Sequence, residues 1–180
     1  MMNMQSRFEP CLKFVLDREG GYSDCHVDHG KATNKGITQA VYNSWNALKG
    51  LPLLSVQEIT DADARDIYKE RYWMPCRCDD LPTPLDMVVF DSAVQHGVNR
   101  AVKWLQHCVM ANADGIIGEN TLVAMHVMVL AKRLHDVVEN YMDARKTFYK
   151  NIIANDPTQK FFEHGWANRM TALQAEIDTP

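Results

Sequence analysis

The chain is short of basic charge, of long apolar runs and of strand-like alternation, and each shortage excludes something. Lys and Arg total 19 against 23 Asp and Glu, a formal net charge of −4, and the isoelectric point is about 5.9. No global basic field exists to hold a polyphosphate, so no nucleic-acid partner is expected. No apolar run approaches the roughly 20 residues of a membrane span. The first 20 residues, MMNMQSRFEPCLKFVLDREG, lack an apolar stretch after a basic start, so synthesis in the cytoplasm without a signal peptide is expected. Period-2 alternation is missing, which leaves room for at most a small hairpin within residues 22–38. Repeats, low-complexity segments and long linkers are also missing.

What is present suits an ordinary globular protein. The chain has 180 residues, 46% hydrophobic and 23% charged, enough for one good core or two small lobes. Five cysteines, an odd count, point to free thiols in a reducing compartment. Cys25-His26-x-x-His29 and Cys76-x-Cys78 have the look of two half zinc sites. The C-x-C spacing is uncommon in structural zinc sites, and neither metal nor cofactor is expected.

Helical periodicity runs through most of the chain. Phe8, Cys11, Leu12, Val15 and Leu16 mark one apolar face, stopped by Gly20 and Gly21, so that Glu19 falls at or near the helix end. Thr38 predicts a cap for a helix with Val41, Tyr42, Trp45 and Leu48 on one face, closed by Gly50 and Pro52. Thr60, followed by Asp61 and Asp63, opens a helix through Ile67, Tyr68, Arg71 and Tyr72. Thr83-Pro84 starts another, through Leu85, Val88, Val89, Ser92, Ala93 and His96 to Gly97, and Asn99 predicts the cap of the next. NADGIIGENT (112–121) is a turn in which Gly115 and Gly118 supply positive φ, with Asp114 capping the next helix or orienting the loop. One or two helices then span about 119–153, and a last one about 161–177. The expected fold is mainly α. A single seam is expected near residue 91, dividing a lobe of residues 6–90 from one of residues 91–177.

The chemistry concentrates in EGGYSDCHVDHGKATNKGIT (19–38), a polar, glycine-punctuated loop that follows a clean helix. A carboxylate at a helix end beside such a loop suits general acid work, which needs partial burial against apolar groups to raise its pKa. Glycoside hydrolysis needs a second group across the scissile bond, often a carboxylate. Asp28 is the candidate, with Asp24 as the alternative. Thr33, Asn34 and Thr38 are placed to hold water or sugar hydroxyls. Tyr22 follows the two glycines. Tyr72 and Trp73 offer rings for a sugar face, against a core role. Asp91 and Gln95 interrupt an apolar helix and are either buried or line a cleft, the cleft being the expectation for Gln95. Trp104 reads as core, and Trp166 and Arg169 as packing and surface pairing.

Together these motifs resemble the family 108 glycoside hydrolases, muramidases of bacteria and phages that cut peptidoglycan. REGGY (18–22) and VDHGKATNKGIT (27–38) are similar to its signature. IYKERYW (67–73), FDSAVQHG (90–97), WLQ (104–106), DGIIGENT (114–121) and GWANR (165–169) follow in order. The resemblance covers about residues 8–172. It implies a lysozyme-like helical fold with Glu19 as catalytic acid and a peptidoglycan-binding second half. It further implies cleavage of the β-1,4 bond between N-acetylmuramic acid and N-acetylglucosamine. Asp28-His29-Gly30-Lys31 departs from the Asp-Pro-Gly-Gly frequent in the family, and Asn34 stands where phage lysozymes place Thr. Among family members the chain resembles the muramidases of holin-dependent toxin export, so the expected partners are peptidoglycan and a holin or comparable route to the cell wall. A monomer is the expected state. The rival readings are a lytic transglycosylase and a non-catalytic peptidoglycan-binding module.

Overall fold

Phe8, Cys11, Leu12, Phe14 and Val15 bury one face of the first helix, α1 (Phe8–Leu16). The computed structural model describes residues 6–23 and 32–179. Its chain divides into two compact units between Met74 and Pro75. The expected seam at residue 91 falls inside a helix. Among the described residues there are eight α-helices and one two-stranded sheet, a mainly α, lysozyme-like fold.

In the first unit, β1 (Thr33–Asn34) pairs antiparallel with β2 (Ile37–Thr38) in the register Thr33 to Thr38 and Asn34 to Ile37. Lys35 and Gly36 turn between them with φ of +50° and +72°. Two successive left-handed residues match the twist of a two-residue hairpin, and the second is glycine, which accepts this conformation freely. Thr38 then caps α2 (Gln39–Lys49) by accepting from Val41 N at 3.3 Å, and Gly50 ends it at φ +67°. Tyr42, Trp45 and Asn46 form the buried face. Leu48 is 82% exposed, because at roughly 100° per residue it stands about a quarter-turn or more off that face.

A capping box between Thr60 and Asp63 opens α3 (Asp61–Tyr68). The helix then widens into a π turn over Lys69–Trp73, with Met74 N donating to Lys69 O at 2.9 Å. Trp73 is fully buried, its ring edge-on to Phe8 at 5.4 Å. The expected sugar-stacking role of Trp73 is therefore corrected: it is a core residue with no open face.

The second unit is built on α4 (Leu85–His96), in which every residue from Leu85 to Ala93 is buried. A helix without a solvated face has to satisfy any polar group internally. Asp91 does so with two cations. Its Oδ2 accepts from Arg145 Nη1 at 2.6 Å and its Oδ1 from Arg169 Nε at 2.9 Å. Arg169 thus serves a buried carboxylate, not the expected surface pair. Gly97, at φ +84°, ends α4 and leads directly into α5 (Val98–Cys108). Gly97, not Asn99, is the N-cap residue.

The turn after α5 is clamped from inside. Buried Gln106 donates from Nε2 to Asp114 Oδ1 at 2.7 Å, to Ile116 O at 3.0 Å and to Thr121 Oγ1 at 3.1 Å. Its Oε1 accepts from Gly115 N at 2.9 Å. Gly115 has φ +86° and lies so close to the Asn99 amide that a β-carbon would collide with it. Gly118, at φ −93°, needs no such freedom. Asp114 orients the loop by accepting from Ile116 N at 2.9 Å. Then follow α6 (Glu119–Leu130), α7 (Leu134–Asn155), a 3-10 segment (Pro157–Phe162) and α8 (Glu163–Ile177). Trp166 of α8 stacks on Tyr149 of α7 at 4.7 Å.

Candidate active site

Beyond Leu16 the chain continues turning, with Arg18 N donating to Val15 O and Glu19 N to Leu16 O. Arg18 is pinned backwards: Nη1 donates to Phe14 O at 2.8 Å, and the guanidinium lies 3.6 Å from the centre of the Phe14 ring. Glu19 follows, half-buried. After the two glycines, Ser23 pairs with Thr33 in both directions, Ser23 N to Thr33 O at 2.8 Å and Thr33 N to Ser23 O at 2.9 Å. Thr33 is paired on its other side with Thr38. One bridge therefore ties the segment carrying Glu19 to the hairpin.

The hairpin turn receives the carboxyl group. A β-carbon placed on Gly36 would lie 2.7 Å from Glu19 Oε2, 2.9 Å from Glu19 Cδ and 2.5 Å from Tyr68 Oη. Only a residue without a side chain lets the carboxyl and the phenol approach the turn this closely. Tyr68 is itself fixed, its hydroxyl donating to Lys35 O at 2.8 Å. Lys35 also forms an ion pair with Asp61, the first residue of α3. Tyr72, across the π turn, lies 5.8 Å from Tyr68 ring to ring. Burial raises the Tyr72 phenol above its ordinary value, Arg71 opposes the shift, and the charge of Glu19 adds to it.

The structure thus gathers Glu19, Tyr72 and the hairpin residues Thr33 and Thr38 in the first unit. Tyr22 stands beside the bridge, 43% exposed. Asn34 is corrected as a sugar-binding candidate: it is buried, and its Nδ2 donates to Val56 O at 3.2 Å and Gln57 O at 3.1 Å. That amide anchors the segment after α2 to the hairpin. Gln95 is half-buried on α4 of the second unit. Asp28, Asp24 and the Cys25-His26-x-x-His29 motif lie outside the described residues. Cys76 and Cys78 are buried free thiols, and burial pushes the Cys108 thiol up to about 11.

Two residues of this arrangement escaped sequence reasoning, Gly36 and Tyr68. Asn34-Lys35-Gly36 was readable as a hairpin turn, but nothing local says that a carboxylate 17 residues earlier packs on its glycine. Tyr68 looked like one more apolar position on α3.

Two family profiles match the chain: Glycosyl hydrolase 108 over residues 12–97, and Predicted Peptidoglycan domain over residues 100–171. Among solved structures, Brucella abortus SagA is similar, with 35% sequence identity and a TM-score of 0.77. That match covers 94% of this chain and 92% of SagA. No curated protein sequence matches.

Proposed function

Because the chain belongs to the glycosyl hydrolase 108 family and is a glycoside hydrolase of peptidoglycan, we propose that it is an N-acetylmuramidase with Glu19 as its acid. The bond assigned is the β-1,4 linkage from N-acetylmuramic acid to N-acetylglucosamine. The observation that carries the reading is the seat of Glu19 on Gly36 beside Tyr68. A half-buried carboxyl in a fixed position can be set beside a glycosidic oxygen and act there as general acid as the bond breaks. Fixed placement matters because a misplacement of about 1 Å can cost on the order of 100-fold in rate.

Asp28 is proposed as the second carboxylate, activating water or offsetting the positive charge that develops on the sugar. Tyr22, Thr33, Thr38, Tyr72 and Gln95 are proposed to contact the glycan. Asp28→Asn should lose at least ~100-fold in turnover, and Asp24→Asn much less. The reverse ranking would move the role to Asp24.

Digestion of purified sacculi with product identification by mass spectrometry tests the reaction itself. Products ending in reducing N-acetylmuramic acid are expected. Anhydromuramyl products would make the protein a lytic transglycosylase, and binding without release would make it a non-catalytic module. A holin or comparable pore is proposed to bring the chain to the wall, where it acts as a monomer. Expression alone should leave cells intact and co-expression with a pore former should lyse them. Lysis without the pore would contradict that route.

A further inference from the structure

The second unit holds a cavity of about 530 Å³ at the junction of α4 and α5, lined by none of the residues proposed above for catalysis. Its lining includes His96, Asn99, Arg100, Lys103, Trp104 and His107. Arg100, Lys103 and His107 recur at i, i+3 and i+7, so they share one face of α5, and α5 contains no acidic residue. In a chain of net charge −4, this face is a local concentration of positive charge. Among the described residues, neither Arg100 nor Lys103 enters an ion pair. Asp114 is within electrostatic reach of Lys103, but its Oδ1 is occupied by Gln106 Nε2 and Ile116 N.

The lining residues pack on neighbouring rings. The Arg100 guanidinium lies 4.5 Å from the centre of the Phe148 ring. Trp104 meets the His96 and Phe148 rings edge-on, both at 5.4 Å. His96 pairs through Nε2 with Tyr149 Oη at 3.0 Å. The positive donors are therefore Arg100 and Lys103, set beside a half-buried indole. The volume falls within the ~300–1,000 Å³ usual for small-ligand sites. Such a wall, two cations beside an apolar plane, fits a short peptide that carries carboxylates and small aliphatic side chains. A guanidinium takes a carboxylate bidentately, and an ammonium takes a second as a point charge.

We propose that this cavity is a subsite for the carboxylates of the peptidoglycan peptide stem, held by Arg100 and Lys103 against Trp104. The inference rests on peptidoglycan being the substrate and assigns the peptide, not the glycan, to this part of the molecule. It makes the second unit a reader of stem charge.

Calorimetric titration of the full chain with the synthetic stem peptide L-Ala-γ-D-Glu-meso-diaminopimelate tests the proposal, beside the same peptide with its carboxylates amidated. The acidic peptide should bind, and the amidated one about tenfold or more weaker. Arg100→Gln with Lys103→Gln should weaken the acidic peptide about tenfold, and raising salt should weaken wild-type binding because exposed charges are screened. Lys160→Gln, which removes the same charge elsewhere, should bind as wild type does. Lys103→Gln alone decides the matter should the double variant fail to fold, and a several-fold loss is expected. Wild-type affinity in the variants, no binding of the acidic peptide by wild type, or equal competition by inorganic phosphate would overturn the assignment. Digestion of sacculi by the wild type is read separately: its failure would sink the hydrolase reading, whereas digestion with unchanged peptide binding in the variants would sink this subsite alone.

Discussion

Glu19 and Asp91 are carboxylates withdrawn from solvent in part and in full, and the chain treats them in opposite ways. Glu19 sits in a turn after α1, half in solvent, against a glycine whose missing side chain makes room for it. Asp91 sits in the middle of a wholly buried helix, between two arginines that come from 54 and 78 residues further along. Burial alone would raise the Asp91 pKa, but the charges of Arg145 and Arg169 outweigh it and hold the carboxyl below its usual range. A carboxylate committed to two cations has no proton to give. On the proposed function, the difference separates a group that does chemistry from one that holds a core together, although both stand in motifs of the same family resemblance.

Removing the buried partner should have the largest effect. Asp91→Ala leaves the fully buried Arg145 and the partly buried Arg169 uncompensated, and should cost about 3–5 kcal/mol of stability. Denaturant unfolding measures it. A stable variant that had lost turnover would break the comparison by making Asp91 a working acid. Gly36→Ala attacks the other side. The new methyl meets Glu19 and Tyr68 at a backbone φ of +72°. Turnover on sacculi should fall by about 10- to 100-fold, with roughly 1–2 kcal/mol lost to the left-handed backbone. Wild-type turnover would show that the seat on Gly36 does not position the acid.

Gln106→Ala sharpens the contrast within the second unit. It strips the buried clamp from the 114–121 turn and should cost about 1–3 kcal/mol without the acid-site signature of the Gly36 variant. The effect smallest at neutral pH is a pH dependence, which appears only on acidification. His96 is held down to about 3 by burial, with Arg145 and Arg100 adding to the shift and Asp91 opposing it. Its folded pKa lies below the unfolded value of 6.5, so the unfolded chain takes up the proton first as pH falls. Stability should therefore decline from about pH 6.5 down to about 3, and His96→Phe should flatten that decline. Asp91, whose folded pKa is also lowered, contributes stability above the ordinary aspartate range that is lost as pH falls through its folded value. An unchanged profile in His96→Phe would remove His96 from the balance.

Local physics made part of this arrangement legible. The Thr38 cap, the Thr60–Asp63 capping box, the stop at Gly97 and the small hairpin all depend on residues within a few positions of one another. Glu19 stood out because a carboxylate, two glycines and a polar loop followed a clean apolar face. What stayed hidden depends on distance in sequence or on a change of helical period. The π turn over Lys69–Trp73 carries Trp73 into the core, and a reading at 3.6 residues per turn does not anticipate it. The partners of Asp91 and the carbonyls that hold Asn34 come from remote segments, so a polar residue that looked available turns out to be spent. Asn46, buried where Leu48 was expected, follows the same rule: tertiary packing selects the face, and apolar content only suggests it.

The central claim is that Glu19, set on Gly36, is the acid. Muropeptide release from purified sacculi by wild type and Glu19→Gln, with thermal unfolding of both proteins recorded alongside, tests it most directly. A loss of at least ~100-fold in turnover with an unchanged unfolding midpoint is the result this account predicts. Turnover within a few-fold of wild type would contradict it.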